Sequence, residues 1–491
     1  MSVQPRRVDA EGWIAAASSA LASGSRLVAL WGVDRRPGAG FAICAVYVLR
    51  DGLAWIDLGL GEGDAYPDIS RFFPYAARMQ RAAFDLVGMK AHGAADERPW
   101  LDHGAWLARF PLRGDAPGSG GEARDYPFVR VEGDGVHEIP VGPVHAGIIE
   151  PGHFRFSVVG EKVLRLEERL GYAHKGIEKR FRELAPLEAH RLAGRVSGDS
   201  TVAYAWAYCA ALEAAAGVAV PPRAAWLRAL LLERERVANH LGDLGALGND
   251  ATLAVGLTHF SRLRELWLRR SRECFGHRLM MDAVAPGGVA ADPGAAALGE
   301  MARDCEALER EVRELRVLYD EHAGLQDRFV TTGRVTPALA ARLGLTGLAG
   351  RASGQSIDLR AEHPQPPYGE LGVRVAAQKN GDVAARVNVR FDELLESLRL
   401  IREICARAPG GPVHAACAPP EGGAGIGAVE GWRGEVLVAL ELAGGRIRRC
   451  HAHDPSWQNW PVLEHAVIGN IVPDFPLINK SFNLAYSGHD L

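Results

Sequence analysis

The sequence has few cysteines, and they are widely spaced. Its seven cysteines, in 491 residues, never lie within four positions of one another. Zinc sites, iron–sulfur clusters and nickel centres are commonly held by cysteines two residues apart, so we expect no such group on this chain alone. An odd, scattered set also favours reduced thiols in the cytoplasm over a disulfide framework. The seven are Cys44, Cys209, Cys274, Cys305, Cys405, Cys417 and Cys450.

Long apolar runs are also lacking. The nearest candidate, residues 202–220, is rich in alanine and is interrupted by Glu213. It falls short of the roughly 20 apolar residues that a membrane span needs, so we predict a buried helix there. Residues 1–10 contain arginines but no recognisable secretory signal follows. We therefore expect a cytoplasmic chain that reaches the inner face of the cell membrane only through partners.

No excess of positive charge is present. Lysine and arginine number 56 against 60 aspartates and glutamates, for a net charge of −4, and this balance gives no reason to expect nucleic acid as a partner. No G-x-G-x-x-G motif follows a predicted strand, so NAD(H) binding is not expected. The nearest match, GAGIG at residues 423–427, lies in a glycine-rich stretch that we interpret as a loop.

The first part of the chain has the pattern of a small α+β domain, which we place at residues 1–113. Residues 26–31, 41–49 and 53–58 are short apolar runs with β-forming residues, which predict strands. Residues 69–87 carry apolar side chains at helical spacing. A stretch rich in glycine, proline, serine and charge follows, and it predicts a linker over residues 114–136.

Residues 137–491 are dominated by amphipathic helical patterns, so the fold class is α+β: a small α+β domain, then a mainly helical bundle framed by short strands. In residues 223–247 the charges Glu233, Arg234, Glu235 and Arg236 are interpreted as a solvated face or a subunit contact. The other helices are predicted at residues 257–278, 295–322 and 391–408, and the strands at 141–144, 155–159 and 435–442.

Several segments, taken in their order along the chain, resemble one family. The match begins with EIPVGPVHAGIIEPGHFRF at residue 138 and continues through LLERERVANHLGDLG (231–245), VEGWRGE (429–435) and NWPVLEHAVIGN (459–470). These segments resemble the large subunit of formate hydrogenlyase and hydrogenase-4 (group 4 nickel–iron hydrogenases) and, more distantly, its complex I counterpart. RAAFDLVGMKAHG (81–93) and WLARFPLR (106–113) resemble the small hydrophilic subunit of complex I, fused ahead of the large subunit.

The resemblance implies four thiolate positions for nickel and iron, and none holds cysteine. The family's R-x-C-G-x-C frame reads R-V-S-G-D-S from residue 195, with Ser197 and Ser200 in place of the first pair. The second pair aligns with Ala485 and Gly488, since the family's NWP-x-L stretch precedes it. The segment D-P-S-W at residue 454 mimics the frame but comes too early. A neutral hydroxyl cannot replace a bridging thiolate, so we expect no nickel–iron centre, as in the energy-converting hydrogenase-related type.

The complex I side of the resemblance implies a quinone-headgroup site. His145, in the GPxH frame, matches the family's headgroup histidine, whereas the tyrosine position falls on Gly198. Tyr204 is a candidate substitute. His153 lies at the other end of the same loop and is a second candidate contact to the cavity or the headgroup. The alternative is a structural histidine whose hydrogen bonds are satisfied within the protein.

Two further residues acquire candidate roles from the resemblance. Glu150 matches a glutamate that moves protons in hydrogenases, and we expect a buried turn that raises its pKa; the alternative is a carboxylate satisfied by backbone amides in that turn. Lys175 matches a basic residue beside the partner subunit's terminal iron–sulfur cluster; the alternative is a surface lysine paired with Glu178. The segment RRCHAHD, with Cys450, His451, His453 and Asp454, is a weaker metal-site candidate.

These observations predict a large subunit of a membrane-associated oxidoreductase complex without a nickel–iron centre of its own. The implied partners are a small iron–sulfur subunit and antiporter-like membrane subunits. We expect that this chain binds no cofactor directly and that a partner subunit carries an iron–sulfur cluster. Quinone is a candidate ligand. The alternative is a non-catalytic scaffold that joins the iron–sulfur subunit to an ion-translocating membrane arm.

Overall fold

The computed structural model describes residues 3–116, 118, 121–123 and 125–491. The predicted linker includes residues 117, 119, 120 and 124, which lie outside the described residues. About 44% of the residues are helical and 19% are in strands, and the helices concentrate after a small N-terminal sheet domain. The predicted α+β fold class is therefore confirmed.

The N-terminal part is a four-stranded sheet of order β1-β4-β3-β2, in which β1 runs parallel to β4 and the other pairs are antiparallel. The apolar runs predicted as strands are confirmed, because β3 covers residues 41–49. The helix predicted at 69–87 begins only at Ala76, since residues 70–75 form turns around Pro74. The elements are β1 (Arg6–Val8), α1 (Ala10–Ala22), β2 (Arg26–Asp34), β3 (Phe41–Leu49), β4 (Gly52–Gly61), β5 (Ala65–Pro67), α2 (Ala76–Val87) and β6 (Lys90–His92).

A second, three-stranded antiparallel sheet follows, with order β7-β8-β9. Its strands are β7 (Val136–Val141), β8 (His153–Val159) and β9 (Lys162–Arg169). The strand predicted at 141–144 lies earlier in the chain. It ends at Val141 because Gly142 has a positive φ of 88° and Pro143 has no N–H to donate. Residues 142–152, which include His145 and Glu150, form the loop between β7 and β8.

Long helices make up the centre of the molecule, and the helix predicted within residues 202–220 is α5, which is buried. The helices are α3 (Ile177–Phe181), α4 (His190–Ala193), α5 (Thr201–Ala216), α6 (Pro222–Asp250), α7 (Ala254–Phe275), α8 (Gly294–Glu321), α9 (Ala323–Phe329), α10 (Pro337–Arg342), α11 (Gly347–Ala352), α12 (Leu359–Glu362), α13 (Tyr368–Leu371) and α14 (Val383–Arg407), with β10 (Val284–Ala285) and β11 (Gly288–Val289) between them. None of the helices in the described part of the chain combines the length and apolar character that crossing a bilayer requires.

The C-terminal part contains a three-stranded sheet and three helices: β12 (Gly422–Glu430), β13 (Glu435–Ala443), β14 (Arg446–His453), α15 (Ser456–Ala466), α16 (Phe475–Phe482) and α17 (Tyr486–Asp490). The GAGIG segment lies in β12, so its interpretation as a loop is wrong. A Cβ at Gly425 or Gly427 would strike backbone oxygens of α5. These glycines therefore let helix and sheet approach closely.

Three apolar clusters hold these layers together. The largest joins α5–α8 and α14 to the C-terminal sheet. A second packs α1 and α2 on one face of the N-terminal sheet and continues into β8, β9 and α15. The third lies between the N-terminal four-stranded sheet and the C-terminal sheet β12-β13-β14, where Trp31 and Val46 meet Ile426 and Leu437. The second-pair segment lies against the N-terminal part, because Leu484 and Tyr486 belong to the second cluster and Trp100 Nε1 donates to His489 Nε2 at 3.3 Å.

Candidate functional site

The four positions that the resemblance aligns with the family's thiolate ligands lie on two segments. Ser197 and Ser200 flank a single 3₁₀ turn that leads into α5, and we call residues 197–200 the first loop. Ala485 and Gly488 follow Asn483, whose left-handed φ of 47° ends α16. Residues 483–488, which run from the end of α16 into the first turn of α17, are called the second loop. Arg433, in the turn between β12 and β13, contacts both loops.

Arg433 and Asp199 form an ion pair at this site. The Arg433 guanidinium donates two hydrogen bonds to the Asp199 carboxylate, one of them from Nη1 to Oδ1 at 3.0 Å. Ser197 Oγ also donates to Asp199 Oδ1, at 2.5 Å. Burial opposes ionisation of Asp199, but Arg433 outweighs it, so the pKa of this carboxyl lies below its usual value. A serine at a position that the resemblance aligns with a family thiolate is thus bonded to a charged carboxylate.

A second buried cluster fills the space beside the second loop. The Tyr204 hydroxyl donates to Asp454 Oδ2 at 2.8 Å, and Ser456 Oγ accepts the Ala485 N–H at 2.9 Å. A Cβ added at Gly488 would lie 2.5 Å from Asp454 Oδ2 and 2.9 Å from the Tyr204 hydroxyl. The D-P-S-W segment, rejected as a ligand frame, therefore touches both positions of the second pair.

The residues at this site do not suit a nickel–iron centre. Two neutral hydroxyls, a methyl group and a hydrogen stand at the four positions where the resemblance places soft anionic sulfur. Within the described residues, no cluster of three or more histidine, cysteine or acidic side chains has a metal-binding arrangement.

His145 and Glu150 both contact the second loop. The Tyr486 hydroxyl lies 3.4 Å from His145 Nε2, and the Ser487 N–H donates to Glu150 Oε2 at 3.0 Å. Glu150 is exposed, so the expectation of a buried turn is wrong. Its carboxylate accepts a backbone amide from the distant Ser487, and not from its own turn as the alternative interpretation had it. A proton-relay role for Glu150 stays a prediction.

His153 faces a different neighbour from His145. It is buried at the start of β8, where its Nδ1 lies 3.3 Å from Gly142 O and its ring packs against Phe128. Burial lowers its pKa. Tyr204, the candidate substitute for a headgroup tyrosine, is bonded to Asp454, whereas Tyr486 lies opposite His145. The described residues therefore pair His145 with a tyrosine that the sequence frame did not indicate.

Lys175 is not paired with Glu178. Its ammonium donates to Val196 O at 2.7 Å, next to Ser197, and desolvation there lowers its pKa. Glu178 is buried and binds Arg449 and His451 at 2.9 and 2.7 Å. Although burial opposes its ionisation, these two neighbours lower the pKa of Glu178 to about 2. The RRCHAHD segment thus supplies partners for a buried carboxylate.

The interpretation of residues 233–236 as a solvated face or subunit contact is wrong. All four side chains are at most 5% exposed. Glu233 accepts hydrogen bonds from Arg360, Tyr368 and Ser397, while Arg234 stacks on Trp267. α6 lies in the middle of the bundle, so every face meets another helix or sheet, and charges there must find buried partners.

Sequence reasoning missed the roles of Asp199, Arg433 and Asp454. Asp199 stands between the two serines, and Arg433 lies in the quoted VEGWRGE segment. The signal available in the sequence was that Asp199 and Arg433 carry opposite charges and lie in two segments that both match the family. Only the fold brings them together, because 234 residues separate the pair.

Family models match two parts of the chain. Residues 6–122 match the 30 Kd subunit of the respiratory-chain NADH dehydrogenase, and residues 250–422 match its 49 Kd subunit. The two matches follow the order expected from the resemblance, with the small-subunit type first.

Curated and solved relatives extend this likeness. The chain is 32% identical to formate hydrogenlyase subunit 5 of Escherichia coli over 485 residues, covering 95% of this chain and 85% of that protein. It is 30% identical to hydrogenase-4 component G of the same organism, covering 87% and 76%. A chain of the membrane-bound sulfane sulfur reductase, an archaeal respiratory membrane complex, superposes with a TM-score of 0.68 at 25% identity, covering 72% of this chain and 98% of that one. The chain therefore belongs to the family of formate hydrogenlyase, hydrogenase-4 and complex I large subunits, with a 30 Kd-type domain fused ahead of a 49 Kd-type domain.

Proposed function

We propose that this chain is the large subunit of a membrane-associated electron-transfer complex and carries no nickel–iron centre. The observation that supports this most directly is the composition of the site. None of Ser197, Ser200, Ala485 and Gly488 supplies a thiolate, and Tyr204, Asp454 and Arg433 occupy the space around them.

The proposed partners are a small iron–sulfur subunit and antiporter-like membrane subunits. We place Lys175 beside the partner's terminal cluster, because its ammonium is held at the first loop through Val196 O. A cation there would favour the more negative, reduced state of a cluster. His145, His153 and Glu150 are proposed as contacts of a quinone or a proton path at the β7–β8 loop.

We also propose that residues 1–113 and 137–491 are separate domains joined by the linker 114–136. The linker contacts the rest of the protein, since the Tyr126 hydroxyl accepts a hydrogen bond from Arg81 and the Arg169 guanidinium stacks on the Tyr126 ring. Limited proteolysis of the purified chain should cut within 114–136 before it cuts either domain. Earlier cleavage inside residues 137–491 would contradict this division.

Affinity purification from detergent-solubilised native membranes tests the proposal as a whole. Mass spectrometry should identify an iron–sulfur subunit and antiporter-like membrane proteins with this chain, and elemental analysis should find far less than one nickel per chain. Recovery of the chain alone from the soluble fraction would overturn the complex. Stoichiometric nickel would contradict the proposed absence of a nickel–iron centre but not the proposed complex.

The second candidate function is a scaffold that performs no redox step. The filled space beside Gly488 favours it, since little room remains there for an electron acceptor. Quinone-analogue reduction by the purified complex separates the two: His145→Asn should abolish it if the β7–β8 loop binds the headgroup. His137→Asn, an exposed histidine on β7, is the matched control. Equal rates in both variants would contradict a headgroup contact by His145, whereas no reduction by the unmodified complex would favour the scaffold.

A further inference from the structure

Glu168 is a fully buried carboxyl on β9, and only one of its two oxygens has a hydrogen-bond partner. Its Oε2 accepts a hydrogen bond from Arg78 Nη1 at 3.0 Å, whereas its Oε1 has no partner among the described residues. Burial, followed by the neighbouring carboxylate of Glu464, raises the pKa of Glu168 well above its usual value, although Arg78 opposes the rise. These surroundings favour the neutral acid, which can donate a proton.

Arg78 joins Glu168 to a second carboxyl that reaches solvent. Arg78 Nη2 donates to Glu464 Oε1 at 2.7 Å, and the same oxygen accepts the Glu168 N–H at 2.8 Å. The Glu464 side chain is 21% exposed, so it can exchange protons with water. Two carboxyls that share one guanidinium favour a single negative charge between them. A proton taken up at Glu464 can therefore come to reside on Glu168.

On its other side, Glu168 faces the pair formed by His145 and Tyr486. Glu168 lies directly opposite Phe154 in the β8–β9 ladder, so both side chains leave the same face of the sheet. The Phe154 ring packs edge-on against His145, with 5.4 Å between the ring centroids, and the Tyr486 hydroxyl lies 3.4 Å from His145 Nε2. Burial raises the pKa of Tyr486, and the Glu168 carboxylate adds to this rise, because the two groups are neighbours.

We propose that Glu168 is an internal proton donor for the His145–Tyr486 pair and that Glu464 connects it to solvent. This inference rests on the proposed function, because it takes the β7–β8 loop as the place where protons are consumed. A quinone that gains two electrons from the partner's iron–sulfur cluster takes up two protons to become a quinol. Each proton that leaves the pair is replaced from Glu168. The Glu168 carboxylate left behind is stabilised by Arg78 and regains its proton from water through Glu464.

Infrared spectroscopy of the purified complex tests the neutral acid without turnover. Near neutral pH the unmodified complex should show carboxylic-acid absorption, one component of which is lost in Glu168→Gln, a variant that keeps the size of the side chain. Glu167→Gln is the matched control, since this neighbouring carboxylate lies on the opposite face of β9 and binds Arg98 at 2.7 Å. It should leave that component in place. If Glu168→Gln loses no component, the donor is overturned.

Reduction of a quinone analogue, measured against pH, gives the second readout. The charged or titratable groups that face Glu168 are Arg78 from α2, Glu464 from α15 and Tyr486 from α17. The rate should fall as pH rises through the raised pKa of Glu168, because the acid then loses its proton. Glu168→Gln should slow reduction about tenfold or more and remove this decline. Glu464→Gln should slow it less and keep the infrared component of Glu168, while Glu167→Gln should keep the original profile.

The two readouts separate failure of this inference from failure of the proposed function. An unchanged rate and pH profile in Glu168→Gln would overturn the donor and leave electron transfer by the complex intact. No quinone-analogue reduction by the unmodified complex would overturn the proposed function, and proton delivery with it, even where the infrared component is found. If Glu168→Gln fails to fold, Glu168→Asp decides: it retracts the acid by one methylene and should slow reduction, and an unchanged rate would overturn the donor.

Discussion

The Tyr204 hydroxyl donates to Asp454 Oδ2 at 2.8 Å, and the pair occupies the space next to Gly488. Both side chains are at most 1% exposed. Burial, followed by the neighbouring carboxylate, raises the pKa of Tyr204 well above its usual value, so the hydroxyl keeps its proton and remains a donor. The position that the resemblance aligns with a metal-binding side chain of the family is therefore closed by packing.

Gly488→Ala should destabilise the protein by about 1–3 kcal/mol, because the new methyl group would overlap this pair. Gly198→Ala is the matched control at the other loop, where an added Cβ meets no atom within 4 Å; it should change the unfolding free energy by less than about 1 kcal/mol. Chemical denaturation of both variants measures the difference. Equal stabilities would mean that the pair moves aside without cost.

Glu233→Ala should cost about 3–5 kcal/mol of unfolding free energy, because it leaves the buried guanidinium of Arg360 without this partner. Thermal or urea denaturation provides the measurement. Glu273→Ala, on the exposed face of α7 with Arg270, is the comparison and should leave the midpoint nearly unchanged. A loss for Glu233→Ala no larger than this would contradict the buried network around α6.

Glu178 should make stability fall in acid. Its pKa of about 2 in the folded protein lies below the ordinary 4.5, so its contribution, roughly 3 kcal/mol, is present above pH 4.5 and is lost as pH falls towards 2. Glu178→Gln should therefore be less stable than the unmodified chain at pH 7, with the gap closing below pH 4.5. Denaturation curves at several pH values test this. A gap that stays constant over this range would contradict the ion pairs with Arg449 and His451.

Lys175→Gln should lower the midpoint potential of the partner's nearest iron–sulfur cluster by roughly tens of millivolts, since a stabilising cation is removed. A redox titration of the purified complex followed by electron paramagnetic resonance measures it. Lys179→Gln removes an exposed lysine of the same segment and should have a smaller effect. Equal shifts would indicate general surface charge rather than a specific position at the first loop.

Local patterns predicted the secondary structure well where neighbours agreed with them. Residues 41–49 read as a strand and form β3, because β-forming side chains fill both faces of a covered strand. The helix expected from residue 69 starts at Ala76, and the glycines of GAGIG lie in a strand. In both places the deciding factors, a turn at Pro74 and the close approach of α5, involve atoms beyond the local pattern.

The sequence by itself determined the family and the order of its two parts, and it predicts that all four thiolates are missing, since these depend only on which residues are present. The tertiary structure alone decided what surrounds the four aligned positions. In the sequence, Glu233 and its charged neighbours resemble a solvated helix face, and Asp454 begins a segment that only mimics a ligand frame. Burial and long-range contacts give both residues their roles, because a charged group that leaves water must find its partner wherever the fold places one.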